Sequence, residues 1–172
     1  KSSTEIKKTI MIYKYPKSFW LIAKQIGFAR NVMNKENNKI NTRFDRGVKN
    51  NHVDTLGILG ELISIDYLTN INQPFNVANL IDFKSSKNPD FILKNKNIDV
   101  KTNQHSKYSH LLVNEEAHKK GLNKIDLYWF VYILDKTTAE FYFVDYNDVS
   151  NWSCKLMKYT NAYYIKREKL KL

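Results

Sequence analysis

The alternation of apolar and polar residues is clearest in the middle of the chain. Phe91 to Leu93 form a short apolar run, residues 94–97 are polar and turn-prone, and residues 98–102 alternate apolar with polar. A period of two is the period of a β-strand, so this pattern predicts two strands joined by a tight turn. The apolar positions of the second strand are expected to face a core, and its charged positions share the opposite face.

The remaining pattern predicts further strands and two long helices. Residues 126–134 are almost continuously apolar, which is typical of a buried central strand, and residues 139–144 are expected to pair with them. Helical spacing predicts helices over residues 19–33 and 55–68, the second with Asp54 as its N-cap. Shorter elements are predicted for Thr9–Tyr15, Leu111–Val113 and Asn114–Lys120. Together these elements predict an α/β fold in which a central mixed β-sheet is flanked by helices.

Length and composition predict a single domain spanning residues 1–172. A chain of 172 residues can bury a core, and its 42% hydrophobic and 13% aromatic residues argue against disorder. Two basic segments flank the predicted core, a helical one over about residues 17–50 and a C-terminal tail over about residues 151–172. The tail interleaves aromatic residues with lysines. It is interpreted as a packed edge with solvated charges, and stacking on bases is the alternative.

The charge of the chain indicates a polyanionic partner. Formal net charge is +11 and the pI is near 9.6. Neutralising phosphates with lysine and arginine releases condensed counterions, so nucleic acid is the expected partner. Solubility and an anionic membrane surface are the alternative explanations of the charge. No apolar run approaches the roughly 18 residues of a membrane span, so insertion into a membrane is not expected and no membrane is assigned as a partner.

The cysteine and histidine residues limit which disulfides and metal sites the chain can form. The single cysteine, Cys154, excludes an intramolecular disulfide and suits a cytoplasmic location. Because the chain begins at Lys1, a trimmed signal peptide stays open as an alternative. The four histidines lack metal-ligand spacing and are expected at the surface or in contact with nucleic acid.

Two carboxylates and a lysine are predicted to meet on the polar face of the hairpin. Asp90 enters the first strand directly after Pro89, and Asp99 and Lys101 share one face of the second strand. Converging carboxylates repel each other and favour a bound cation, for which Mg²⁺ with its oxygen ligands is the natural candidate. A lysine on the same face can orient or activate water, or steady the charge on a phosphate.

A third carboxylate lies in the helix predicted upstream of the hairpin. Glu61 follows Gly60 in an otherwise apolar helix, where a carboxylate needs either a basic partner or a metal site, and both stay open. Gly57 and Gly60 each lower helix stability by about 1 kcal/mol relative to alanine. Their presence indicates a close approach of this helix to the sheet.

The sequence Pro89-Asp90, followed by Asp99-Val100-Lys101 on the next strand, resembles the PD-(D/E)XK nuclease superfamily. This core is shared by many restriction endonucleases, junction resolvases and repair nucleases. The resemblance covers about fifteen residues directly, and about fifty with the upstream helix. It implies a restriction-endonuclease-like core and a nuclease that depends on Mg²⁺ or Mn²⁺, with double-stranded DNA as the expected substrate.

The same resemblance implies a role for each residue of the site. Asp90 and Asp99 would hold the metal, with the carbonyl of Val100 as a further ligand. Glu61 would orient the site or bind a second ion, and Lys101 would position or polarise the attacking water. Cutting both strands of a duplex usually needs two active sites, which predicts a homodimer without identifying its interface.

Residues on both sides of the site are predicted to contact nucleic acid. A basic loop ahead of the Glu61 helix contributes Arg43, Arg46 and Lys49, and the segment after the hairpin contributes Gln104, His105 and Lys107. A solvated linker is the alternative for the basic loop.

Three other interpretations stay open. The chain can be a Holliday-junction-resolvase-like nuclease, which the same core and basic surface permit. It can be a nucleic-acid-binding module without turnover. Finally, the hairpin can be a solvated structure whose charges serve no catalysis.

Overall fold

The computed structural model describes residues 11–36, 52–77, 89–104, 110–157 and 160–170, which form a mixed α/β structure. The strands are β1 (Met11–Lys14), β2 (Asn76–Val77), β3 (Phe91–Leu93), β4 (Lys96–Gln104), β5 (His110–Asn114), β6 (Leu127–Ile133), β7 (Thr138–Asp145), β8 (Ser153–Met157) and β9 (Thr160–Lys166). The helices are α1 (Phe19–Glu36), α2 (His52–Asn70), α3 (Glu115–Lys120) and α4 (Tyr146–Val149), and a 3₁₀ helix spans Arg167–Leu170.

Two sheets organise these strands. The larger has six strands in the order β1-β7-β6-β4-β3-β2, and the smaller has three in the order β5-β9-β8. In the larger sheet, β4 and β6 run parallel while the other neighbouring pairs are antiparallel. The predicted mixed sheet with helices is therefore confirmed in the described part of the chain.

The predicted hairpin is formed by β3 and β4. Phe91 is paired with Ile98 and Leu93 with Lys96, and the turn residues Lys94 and Asn95 have φ values of 49° and 61°. Positive φ at both central residues is the geometry of a two-residue hairpin turn whose twist matches the flanking strands. Ile98 is 1% exposed, as the alternation predicts.

Both faces of β6 are buried, because each carries its own core. All seven residues of β6 are buried. On one face Trp129 and Val131 pack with α2 residues such as Ile58 and Ile63. On the other face, Tyr128 and its neighbours pack against residues of the smaller sheet and α4. A strand that is buried on both faces has apolar residues at consecutive positions, which is why β6 could be predicted from the sequence.

Helix α2 begins earlier than predicted. It starts at His52, so Asp54 lies inside the first turn and the predicted N-cap at Asp54 is wrong. A carboxylate in the first turn still interacts favourably with the positive end of the helix dipole.

In the described ranges, no helix is long and apolar enough to cross a membrane.

The two basic segments are described in part. Helix α1 covers residues 19–36 of the N-terminal segment, while residues 37–50 lie outside the described ranges. In the C-terminal segment, β8 and β9 build the smaller sheet together with β5, and the 3₁₀ helix follows. Arg167 at its start bonds the buried carboxylate of Glu140 on β7 with an N–O distance of 2.8 Å. This stretch therefore packs against the domain.

Candidate active site

The hairpin brings Asp90 to the edge of β4. The pairing of β3 with β4 extends to Phe91 and Ile98, and Asp90 directly precedes Phe91. The Val100 N–H donates a 2.7 Å hydrogen bond to Oδ2 of Asp90, so this carboxylate continues the pairing just before β3 begins. Because the N–H and C=O of a strand residue point to the same edge, the Val100 carbonyl faces that edge too.

Asp99 and Lys101 form an ion pair on the opposite face of β4 from Val100. The Asp99 carboxylate contacts the Lys101 ammonium, and their side chains are 22% and 31% exposed. Asp99 is in register with Tyr128 on β6, and Lys101 Nζ lies 5.8 Å from the centre of the Tyr128 ring. The pair therefore lies partly inside the protein, against an aromatic wall, which does not fit a fully solvated hairpin.

Glu61 on α2 joins this cluster and is held by Arg30 on α1. Each Arg30 terminal nitrogen lies 3.4 Å from one Glu61 oxygen, which gives a two-pronged contact. The Glu61 side chain is 13% exposed. Of the two partners that the sequence left open for this carboxylate, the structure shows the basic one.

Electrostatics connect the three carboxylates. Burial raises the pKa of Asp90 well above its ordinary value, and the nearby charges of Asp99 and Glu61 raise it further. Burial also raises the pKa of Glu61, with Arg30 opposing and Asp99 adding to the rise. The charges of Asp90 and Glu61 are therefore destabilised in the folded protein, by burial first and by neighbouring carboxylates second.

Lys101 is a cation under ordinary conditions. Burial alone would lower the pKa of its ammonium, but the carboxylates of Asp99, Asp90 and Glu61 outweigh burial and raise the pKa. A protonated lysine donates hydrogen bonds and does not accept a proton. It therefore suits orienting a water molecule or stabilising negative charge on a phosphate.

The donors present fit a magnesium ion that shares its coordination with a substrate. In the described part of the chain, no group of three or more His, Cys, Asp or Glu side chains is arranged to hold a metal by itself. Mg²⁺ is usually bound by one or two carboxylates, with waters and substrate phosphates completing its octahedron. Asp90 and Asp99 can supply the carboxylates, and the edge-facing Val100 carbonyl is a further oxygen.

The predicted nucleic-acid contacts are only partly described. Gln104 lies at the end of β4, exposed, three residues beyond Lys101. The predictions for Arg43, Arg46, Lys49, His105 and Lys107 fall on residues outside the described ranges.

Two features near the site were missed from the sequence. Nothing in the local sequence indicates that Arg30 contacts Glu61, because 31 residues separate them. His118 was expected at the surface or on nucleic acid, and this prediction is wrong because it is 3% exposed. Its ring nitrogens lie 2.9 Å from the Tyr128 hydroxyl and 2.9 Å from Oγ of Ser150, and its ring stacks on Tyr146. His118 therefore fixes the tyrosine against which Asp99 and Lys101 rest.

No protein-family model matches this sequence, and no curated protein matches it either. The function therefore has to be argued from the residues of the site and their surroundings.

Proposed function

We propose that this protein is a metal-dependent nuclease with a restriction-endonuclease-like core, which hydrolyses phosphodiester bonds in DNA. The observation that carries the proposal is the convergence of Glu61, Asp90, Asp99 and Lys101 from one helix and one hairpin. Asp90 and Glu61 have raised pKa values, and Asp99 and Lys101 are paired within the same electrostatic cluster. These are the residues that the resemblance to PD-(D/E)XK nucleases assigns to catalysis.

The physical argument for a metal is the unbalanced charge of the cluster. Three carboxylates face one lysine, and Arg30 contacts Glu61 through both of its terminal nitrogens. A divalent cation held by Asp90 and Asp99 would offset the burial and the repulsion that together raise the pKa of Asp90. When bound, Mg²⁺ supplies Lewis-acid stabilisation of the phosphate and lowers the pKa of water.

The protein's own groups then have separate tasks. Asp90 is fixed by the Val100 N–H, so one carboxylate oxygen is oriented before any substrate arrives. Lys101 keeps its proton and places a positive charge beside the reacting phosphate. Glu61, fixed by Arg30, maintains the negative potential that draws the cation into the cluster. Together with the net charge of +11, which attracts DNA, this arrangement suits phosphodiester hydrolysis.

Cleavage of supercoiled plasmid with and without Mg²⁺ tests the proposal. Wild-type protein is expected to cleave only with the metal. Asp99→Asn and Lys101→Ala are expected to abolish cleavage while DNA binding, measured by gel shift, stays near wild type. Asp148→Asn, an exposed aspartate on α4, is the charge-matched control and should cleave normally. Cleavage by Asp99→Asn at the wild-type rate would overturn the assignment.

A binding module without turnover is the second candidate, and one contact favours it. The Lys101 ammonium already neutralises the Asp99 carboxylate without any metal. If this pairing is permanent, DNA affinity should fall with salt but be indifferent to Mg²⁺, and no plasmid or four-way junction should be cut. Metal-dependent cleavage of any of these substrates would exclude this candidate.

A further inference from the structure

A recess of about 640 Å³ lies at the end of β4, away from the carboxylate cluster. Trp20 and Leu21 of α1 form its apolar wall, and the lysines Lys17, Lys24 and Lys136 line it as well. The volume is in the range of small-ligand sites, which is roughly 300–1,000 Å³. An apolar wall surrounded by cations suits a ligand with a flat apolar part and several negative charges.

The charge inside the recess is predominantly positive. Its acidic residue, Asp135, directs one carboxylate oxygen to its own turn, where it accepts bonds of 2.7 Å from the Thr137 N–H and 3.1 Å from the Thr137 hydroxyl. The three lysines are exposed. Their ammonium groups are therefore available to phosphates in solution.

The position of the recess relates it to the carboxylate cluster. Gln104, the last residue of β4, lines the recess and lies three residues beyond Lys101 on the same strand, a separation of about 10 Å. Because side chains alternate along a strand, Gln104 and Lys101 point to opposite faces of β4, so the recess is a separate site from the carboxylate cluster on the same strand.

We propose that this recess binds a nucleotide of single-stranded nucleic acid, with its base against Trp20 and Leu21 and its phosphates beside Lys17, Lys24 and Lys136. The inference rests on the proposed function, because it names the form of nucleic acid that the nuclease holds. A duplex stacks its bases inside and offers only phosphates, so its bases do not reach an apolar wall. An unpaired base does, and stacking on aromatic side chains stabilises such complexes irrespective of base identity.

The first test places a negative charge in the recess. Leu21 is 62% exposed, and Leu122, in the loop after α3, is 58% exposed, so both tolerate a polar side chain. A fluorescein-labelled oligodeoxythymidylate is titrated with Leu21→Glu and with the matched control Leu122→Glu, in EDTA so that no cleavage occurs. Fluorescence anisotropy should show affinity lowered about tenfold by Leu21→Glu, because the new carboxylate repels phosphate and displaces the base from Trp20, whose stacking contact is worth about that much. Affinity should be little changed by Leu122→Glu.

The second test counts phosphate contacts. Lys24→Gln/Lys136→Gln removes two charges from the recess, and Lys124→Gln/Lys169→Gln removes two exposed charges elsewhere. Lys124 precedes β6 and Lys136 follows it, so the control charge lies at the other end of that strand. For single strands, losing two phosphate contacts reduces the slope of log affinity against log salt by about 1.4. Only the recess variant should show this reduction.

Several results would overturn the inference. The recess is refuted if both glutamate variants lower the affinity equally, or if Lys24→Gln/Lys136→Gln leaves the salt slope unchanged. It is also refuted if the annealed duplex binds more tightly than the single strand. Each of these results would show general electrostatic attraction in place of a specific site. The binding assay is independent of turnover. If Leu21→Glu loses single-strand binding but the wild type cleaves no plasmid, the recess is supported and the nuclease is refuted. If the wild type cleaves plasmid but Leu21→Glu binds single strands normally, the nuclease is supported and the recess is refuted.

Discussion

Replacing Gly60 by alanine is expected to destabilise the protein, although alanine is the better helix former. A Cβ at Gly60 would lie 1.9 Å from Oγ1 of Thr102 and 3.1 Å from its Cβ. Rotating the threonine does not remove the contact, since its Cβ stays in place. Thr102 is held in β4 by pairing with Val131, so α2 has to move away from the sheet.

Two opposing effects set the magnitude. Replacing glycine by alanine in a helix interior raises the free energy of unfolding by about 1 kcal/mol. Inserting an extra methyl group into a well-packed contact lowers it by about 1–3 kcal/mol. We therefore expect a net loss of up to about 2 kcal/mol, which lowers the Tm of a domain of this size by roughly 4–8 °C.

Gly57 provides the matched control, because a Cβ there would meet nothing within 4 Å. Gly57→Ala should gain about 1 kcal/mol and raise the Tm by roughly 2–4 °C. Thermal melts followed by circular dichroism compare the two variants. The double variant Gly60→Ala/Thr102→Ala should lose less stability than the two single variants lose in total. Equal stabilisation by both glycine substitutions would refute the close approach of α2 to β4.

The same substitution links the fold to the proposed chemistry. Glu61 follows Gly60 directly, so a helix displaced from β4 carries the Glu61 carboxylate away from Asp99 and Lys101. Gly60→Ala should therefore lower plasmid cleavage at temperatures where the variant is still folded. Gly57→Ala should leave cleavage unchanged.

Two further predictions concern the buried charges. Because the folded pKa of Asp90 is raised, its contribution to stability is lost as pH rises from the ordinary carboxyl pKa through the raised value. Asp90→Asn, whose amide oxygen still accepts from the Val100 N–H, should therefore melt above wild type at neutral pH and equal it in acid; a lower melting temperature at neutral pH would contradict this. Arg30→Gln leaves Glu61 without its bidentate partner and should lose about 1–3 kcal/mol at neutral pH. Protonation of Glu61 should shrink that loss in acid, so denaturant titrations showing a pH-independent loss would exclude the pairing.

The local parts of the site were predictable because they depend on spacing along the chain. Alternation placed Asp99 and Lys101 on one face of β4 with Ile98 and Val100 on the other, and turn-prone residues located the hairpin. The apolar run of β6 indicated a central strand for the same reason. Such patterns are set by the geometry of one strand and need no tertiary information.

The partners of the charged groups were not predictable, since they come from distant segments. Arg30 meets Glu61 only because α1 packs on α2, and 31 residues separate them. His118 was misjudged because nothing near it in the sequence shows that Tyr128 and Tyr146 enclose it. The two α2 glycines were interpreted alike, and only Gly60 meets the sheet, because the side of a helix that faces β4 is a tertiary property.

The strand β4 is subject to two demands that oppose each other. It lies between β3 and β6 in the sheet, and although its pairing with β3 ends at Ile98, Asp99 and Lys101 lie against the buried Tyr128, where apolar residues would be most stable. Pairing the two charges limits the loss of stability, but burial and the nearby charges of Asp99 and Glu61 raise the pKa of Asp90, so the Asp90 charge is still destabilised in the folded protein. A site that binds a cation and a phosphate needs this unrelieved charge, because a fully balanced cluster would gain nothing from binding either. Under the proposed function, Asp90→Asn should therefore stabilise the protein at neutral pH and also abolish any rise in melting temperature that Mg²⁺ gives the wild type, which thermal melts with and without the metal would measure.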